Sequence, residues 1–375
     1  MAQVTQGAAA VGLILVVRHQ TGSLALAGGV VAASSIAVGV SRPLQGRLID
    51  RRGSREVVAL CGVVHALALV GIVRLVELGS WGGFTVALGA LAGLCLPPVS
   101  AAMRVEWGRL LADDDRTAAY SLVYLTQELA ILAGPLILAA MIALASAPVA
   151  LTVVAGLAGV GSVGFAISLP RPMASLRTPR TPTVAVLRVA GLRRLLVLAG
   201  LVGGAIGALE VAAPTLATAH GEPAAAGVLI ASLSVGGIVG ASMYAARQWR
   251  QTPARRLLVL LTLLTVALGA TVYAGSLLVV AVLLFLAGVW INPALTTFSL
   301  LVDQHVPARA AGEAFGWLSS AIAGGTGAAS ALAAVATQHE HDPRAAFGLA
   351  AAAGAAAIIA ALLSRRTLES SSAAP

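Results

Sequence analysis

Apolar residues run through this chain in long blocks cut by short polar breaks, and the blocks show no one-in-two alternation. Twelve of them reach or approach the roughly 20 residues that carry a helix across a bilayer. They cover residues 3–17, 24–44, 57–76, 81–103, 118–142, 147–168, 194–217, 224–245, 256–273, 276–300, 314–336 and 344–363. Lipid offers the backbone no hydrogen-bond partners, so each block must be a helix or a strand of a closed barrel. A barrel strand needs only about 9–11 residues, roughly half of what most blocks supply. Helices follow: an all-α membrane protein with 12 transmembrane helices.

Composition agrees. Of 375 residues 58% are hydrophobic and 10% charged, and mean hydropathy is +0.93. A water-soluble domain carries about 25% charged residues. An ordinary soluble enzyme, a disordered chain and a coiled coil are excluded. The net charge is +9, and all 24 basic residues are arginine. They sit in the breaks between apolar blocks without interleaved aromatic residues, which argues against nucleic acid as a partner. Cys61 and Cys95 lie inside apolar blocks and make no disulfide framework. The start, MAQVTQ, lacks the basic region of a cleaved signal peptide.

Arginine placement sets the orientation. With the N-terminus in the cytoplasm, all arginines but Arg18, Arg74 and Arg344 fall on the inner side, as the positive-inside rule requires. Miscounting one helix would scramble this asymmetry. Both termini are expected on the cytoplasmic side of a cell membrane. The first block is short: about 15 residues before Arg18 give roughly 22 Å, against a hydrocarbon core near 30 Å. Either the bilayer thins there or the true start of the chain lies upstream; the mismatch favours the second.

Residues 169–193, rich in Pro, Thr and Arg, read as a cytoplasmic linker. They divide the chain into an N-terminal six-helix bundle (1–168) and a C-terminal one (194–365), followed by a disordered cytoplasmic tail (366–375). The halves resemble each other weakly. At an offset of 198, Ala27, Gly29, Val30, Ala33, Ser34 and Gly39 meet Ala225, Gly227, Val228, Ala231, Ser232 and Gly237. At 195, Gly93 and Pro98 meet Gly288 and Pro293. Repeated bundles are how many secondary transporters build a site at the repeat interface.

The loop between the second and third helices reads SRPLQGRLIDRRGSREVV. Gly46 lets the second helix end close to a neighbour. Asp50 is placed to cap the next helical turn and accept arginine hydrogen bonds. Arg51, Arg52 and Arg55 hold the loop against anionic lipid, and Gly53 permits positive φ. This loop resembles the signature G-x-L-x-D-R-x-G-R-[KR] of the major facilitator superfamily, matched at Gly46, Leu48, Asp50, Arg51, Gly53 and Arg55, with Ser54 in place of an expected base. The resemblance implies two pseudo-symmetric six-helix bundles and a monomeric transporter. It also implies an ionic latch built on Asp50, Arg51 and Arg55, although these residues would fix topology even without one. The counterpart loop, AARQWRQTPARR, keeps its arginines but has no aspartate or glycine. In the fifth helix Gly134 and Pro135 are what remains of a glycine-rich motif found in proton-coupled exporters of the superfamily.

Two carboxylates, Glu128 and Glu210, lie deep within blocks. An ionised side chain at mid-bilayer costs at least about 2.5–3.5 kcal/mol on insertion scales. A buried acid without a counter-charge is favoured in its neutral form, and a carboxyl that gains and loses a proton is what proton coupling requires. Tyr120, Tyr124 and Glu128 form an i, i+4, i+8 stripe beside Gln127, while Gly203, Gly207, Glu210 and Pro214 share a face of the seventh helix. The packing alternative is a protonated acid satisfied by hydrogen bonds. In the superfamily fold that the resemblance implies, helices 1, 4, 7 and 10 line a central cavity walled by 2, 5, 8 and 11. This adds Trp290, Asn292 and Thr296 in the tenth helix, and Trp317, Ser320 and Thr326 in the eleventh. The two tryptophans fit a cavity wall or ordinary core equally.

His65 reads as a packed histidine. His339, Glu340, His341 and Asp342 have no wider pattern of metal ligation. There is no phosphate-binding glycine loop and no nucleophile–base arrangement, so neither a cofactor, a resident metal nor an enzymatic activity is expected. The reading is a proton-coupled secondary transporter, exporting a small, partly apolar molecule through a cavity with few fixed charges. The alternatives are a nutrient importer and a non-transporting sensor or assembly protein of the same fold.

Overall fold

The structure is a computed structural model that describes residues 1–79, 82–170, 186–340 and 342–370. These residues form thirteen α-helices, two 3-10 turns and no strand. The first seven helices are α1 (Val4–Thr21), α2 (Leu24–Arg52), α3 (Ser54–Glu77), α4 (Gly82–Leu94), α5 (Val99–Leu110), α6 (Asp113–Leu144) and α7 (Ala147–Ser168). The other six are α8 (Ala190–Ala219), α9 (Ala225–Ala245), α10 (Pro253–Val272), α11 (Leu277–His305), α12 (Ala311–Glu340) and α13 (Arg344–Ser370). Helices α4 and α5 are two pieces of one rod, so the described chain has twelve rods. Eleven are long and apolar enough to cross a membrane. The remaining one, α1, passes Arg18 and reaches 18 residues, or about 27 Å.

The ends are set by short polar residues. Ser23, Ser146 and Ser276 accept from the backbone N–H of Leu26, Val149 and Val279, satisfying groups the first turn leaves open. Asp113, Asp114 and Asp115 occupy the first turn of α6, where the helix dipole favours negative charge; Asp113 pairs with Arg116 at 2.9 Å.

Several boundaries differ from the sequence expectation. Helix α2 does not end near Gly46 but continues to Arg52, so most of the signature loop is its last two turns. Arg42 accordingly lies within the helix. The rod expected over 81–103 is interrupted at Pro97 and Pro98, which lack the N–H groups a helix needs. The side chains of α2 repair the break: Gln45 Nε2 donates to the Leu94 and Leu96 carbonyls at 2.8 and 3.0 Å, and Arg42 Nη1 to Leu96 at 3.3 Å. Helix α13 extends to Ser370, so residues 366–370 are helical. Residues 171–185 of the expected linker, His341 of the His/Glu/His/Asp run and the tail beyond Ser370 lie outside the described residues.

Contacts divide the chain into two compact units, Met1–Glu106 with Leu129–Thr183, and Trp107–Glu128 with Val184–Pro375. Each is built by the same pairings. In the first, α2 packs on α4, α3 on α7, and α1 on α7; in the second, α9 packs on α11, α10 on α13, and α8 on α13. The first core gathers Leu13, Val16, Val30, Leu69, Ile72 and Leu151.

Candidate functional site

Helix α6 runs without interruption through both units, and its first half belongs with the second. There the Tyr120, Tyr124, Glu128 stripe meets a matching polar face of α11. The Tyr120 hydroxyl donates to Asp303 Oδ2, the Tyr124 hydroxyl lies 3.2 Å from Ser299 Oγ, and Asn292 Nδ2 donates to Glu128 Oε1 at 3.2 Å. One number series rises while the other falls, as two antiparallel helices in register require. Asn292, Ser299 and Asp303 are separated by 7 and 4 residues, which brings them to one face at 100° per residue.

Around Glu128 the partners are neutral. The Ser234 hydroxyl of α9 also bonds it. Gly237, one turn further along α9, supplies the space: a Cβ there would lie 2.6 Å from Asn292 Nδ2 and 3.2 Å from Glu128 Oε1. Gln127 Oε1 and Thr296 Oγ1 are buried and have no hydrogen-bond partner among the described residues, and Thr296 is fully enclosed. The lower end of the seam is charged. Arg116 Nη1 lies 3.6 Å from Asp303 Oδ2, and Arg116 Nη2 donates to the Gly108 carbonyl at 2.7 Å. Tyr120 is fully buried, edge-on to Phe315 with ring centroids 6.0 Å apart.

Glu210 is placed differently. Helix α8 is covered by α9, α11, α12 and α13, and Gly203 and Gly207 bring it against α12. A Cβ at these glycines would lie 2.2 Å from the Ile322 carbonyl and 2.1 Å from that of Thr326. Thr326 and Ser330 donate to the Gly203 and Gly207 carbonyls, each at 3.0 Å, so Thr326 ties helices together. Glu210 stands on a side of α8 that its own unit leaves exposed. Among the described residues it makes no hydrogen bond or ion pair, and Pro214 one turn on is half-buried.

The remaining candidates separate. Trp290 and Trp317 are half-buried, and Trp317 Nε1 donates to Glu313 Oε1 at 3.4 Å. Ser320 is half-buried. Gly134 is a close-packing residue: a Cβ there would be 2.7 Å from the Val4 carbonyl, and one at Gly7 would be 2.7 Å from Ile131 and 3.1 Å from Pro135 Cδ. In the signature loop Gly46 is buried, Asp50 and Arg55 are half-buried, and Leu48 and Arg51 are exposed. Gly53 ends α2 at φ +89° and is also the residue that caps the start of α3, so Gly53 and not Asp50 occupies the cap position. Ser54, where the signature has a base, donates to Glu106 Oε1 of α5 at 2.6 Å.

Asp303, Ser299, Ser234 and Glu313 were not singled out from sequence. The first two carried a signal: the spacing that links Asn292 to Thr296 continues along the same face beyond the apolar block that ends at residue 300. Ser234 carried none, since it is not linked by helical spacing to another candidate residue; Glu313 stands one turn before Trp317 but just outside the apolar block that begins at residue 314. Among the described residues no three His, Cys, Asp or Glu side chains gather as a metal site.

A family model described as Major Facilitator Superfamily matches residues 1–330. Among solved structures, a bacterial homologue of the iron transporter ferroportin is similar with TM-score 0.73 and 16% identity, over 96% of this chain and 98% of that one. The human organic anion transporter MFSD10 (TETRAN) follows with TM-score 0.71 and 19% identity, over 89% and 83%. The E. coli fucose:proton symporter FucP has TM-score 0.72 and 14% identity, over 96% of each chain. At these identities the likeness is one of fold. No curated protein matches the chain.

Proposed function

The chain belongs to the Major Facilitator Superfamily, as a multi-pass membrane transporter and not an enzyme, and on that premise we propose that it is a proton-coupled secondary transporter exporting a small, partly apolar molecule by alternating access. The observation that carries this reading is Glu128. It is an acid inside an apolar helix, bonded by Asn292 and Ser234, with no ion pair among the described residues. Neutral donors hold a carboxylate and tolerate its protonation; an arginine partner would lock it in the charged form. Glu210, exposed on α8 without a partner among the described residues, is proposed as a second proton-carrying group.

Export rests on the half-buried Trp290 and Trp317 and on the Gly134-Pro135 remnant. A proton is also the coupling ion of the fucose:proton symporter FucP. Arginine placement supports a cytoplasmic position for both termini, and the six-plus-six division at the linker is the arrangement in which two bundles rock about a site. Proteoliposomes with an imposed pH gradient test the reading. A panel of small amphiphiles should include one whose flux follows the gradient. Glu128→Gln should cut gradient-driven flux at least tenfold while leaving equilibrium exchange of the same compound. Flux indifferent to the gradient, or none for any compound, would sink it.

A further inference from the structure

Two rungs of the α6–α11 seam fix its register. Tyr120 meets Asp303 and Tyr124 meets Ser299, so four residues forward on α6 match four residues back on α11. Three more in each direction reach Gln127 and Thr296. Thr296 stands on the face that carries Asn292 and Ser299, four residues from one and three from the other. The spacing of Tyr120, Tyr124 and Gln127 likewise returns to one side of α6. Unlike the rungs on either side, this pair is not joined: Gln127 Oε1 and Thr296 Oγ1 are buried, and neither has a hydrogen-bond partner among the described residues. Glu128 follows at once, and among the described residues its carboxylate takes neutral donors only, from Asn292 and Ser234.

This corner of the seam is rich in acceptors. An amide oxygen and an ionised carboxylate only accept, and a hydroxyl accepts while giving one proton. Buried polar atoms left unpaired cost free energy, and an unanswered carboxylate inside an apolar bundle costs more. The charged end of the seam is too distant to answer it. Asp303 lies eleven residues from Asn292 along α11, about 16 Å, and Arg116 twelve residues before Glu128 along α6, about 18 Å. A water molecule would pair with the two neutral oxygens and leave the charge; a cation serves both. A carboxylate with neutral oxygens is the donor set of hard cations. One negative charge matches a monovalent ion, whereas a divalent one would leave net charge among apolar side chains. Thr296 is fully enclosed, which suits an occupant of ionic size.

We propose that Gln127 Oε1, Thr296 Oγ1 and the Glu128 carboxylate bind one sodium ion. The site rests on the proposed role of Glu128 in one respect, that its carboxyl gives up its proton; it does not depend on the cargo or the direction of transport. Thermal unfolding of the full chain in detergent tests it, in sodium chloride against choline chloride at equal ionic strength and pH. Sodium should raise the wild-type midpoint by several degrees, because an ion that binds only the folded state stabilises it. Equal midpoints would leave the two oxygens to water and overturn the proposal. Thr296→Val removes an oxygen that has no protein partner among the described residues. It should therefore unfold in choline where the wild type does, and need at least tenfold more sodium for the same shift. Gln127→Leu should behave likewise, which keeps the test decisive if one variant folds poorly. Thr262→Val, exposed on α10 and bonded within its own helix, should respond as the wild type does. An undiminished sodium response in either folded variant of the pair overturns the proposal. Proteoliposome flux keeps this apart from the transport reading: flux that follows the pH gradient with no sodium response overturns the site alone, whereas a sodium response lost in both variants supports the site even where no compound moves.

Discussion

At its fourth span the first half of the chain carries Pro97 and Pro98 in succession, and the rod is broken between Leu94 and Val99; at the tenth, Pro293 stands alone and α11 runs unbroken from Leu277 to His305. Each proline removes the N–H owed to a carbonyl four residues earlier. In α11 the carbonyl so deprived is that of Val289, and α9 approaches it with Gly240, where a Cβ would lie 2.1 Å away. Close backbone packing is enough for one lost bond. In the first half two successive losses open the helix, and α2 answers with the amide of Gln45 and the guanidinium of Arg42. The corresponding partner helix therefore supplies a glycine in one half, from α9, and long polar side chains in the other, from α2. The unbroken α11 keeps Asn292, Ser299 and Asp303 in one register; a break at Pro293 would separate Asn292 from the other two.

The strongest way to break this comparison is Ala294→Pro, which writes the doubled proline into the second half. Ala294 is fully buried, and the nearest close approach of α9, Gly240 against the Val289 carbonyl, offers no side-chain donor. The cost should be about 3 kcal/mol or more, read as a collapse of the monodisperse yield in detergent. A stable, monodisperse variant would show that α11 is not the rigid element described.

The converse test removes the repair. Gln45→Leu keeps apolar volume but leaves the Leu94 carbonyl without its donor and Leu96 with Arg42 alone. Losing a donor at such a part-buried carbonyl costs at most about 1–3 kcal/mol, so thermal unfolding in detergent should fall by a few degrees. An unchanged midpoint would mean that the broken segment finds other donors.

The number and type of the helices were legible because lipid imposes one solution on every long apolar block. The paired halves were legible in weak repeats such as Gly93 and Pro98 against Gly288 and Pro293, and the two units repeat the same pairings. Hydropathy misplaced what it does not measure. It falls where arginines and other polar residues gather, so a block ending at residue 44 stops short of α2, although a helix with charged ends continues into the polar layer. It averages over Pro97 and Pro98, so the break passed unseen. The Tyr120, Tyr124, Glu128 stripe was visible as spacing on one helix. Its partners depended on which face of α11 it meets, and that is a property of packing.

The seam on α11 also predicts a small effect. Tyr124 is buried, yet its hydroxyl partner Ser299 donates as well to the Leu295 carbonyl at 3.2 Å. Removing the phenol leaves Ser299 with a bond of its own, so Tyr124→Phe should cost only about 0.5–1.5 kcal/mol, the net worth of a neutral hydrogen bond. Tyr120 differs, because its partner is the carboxylate of Asp303, with Arg116 no nearer than 3.6 Å. A thermal midpoint for Tyr124→Phe within a few degrees of the wild type, with gradient-driven flux retained, fits a rung that aligns α6 and α11 beside Glu128. A loss of flux as large as that of Glu128→Gln would make Tyr124 part of the proton path and move the site one turn toward Asp303.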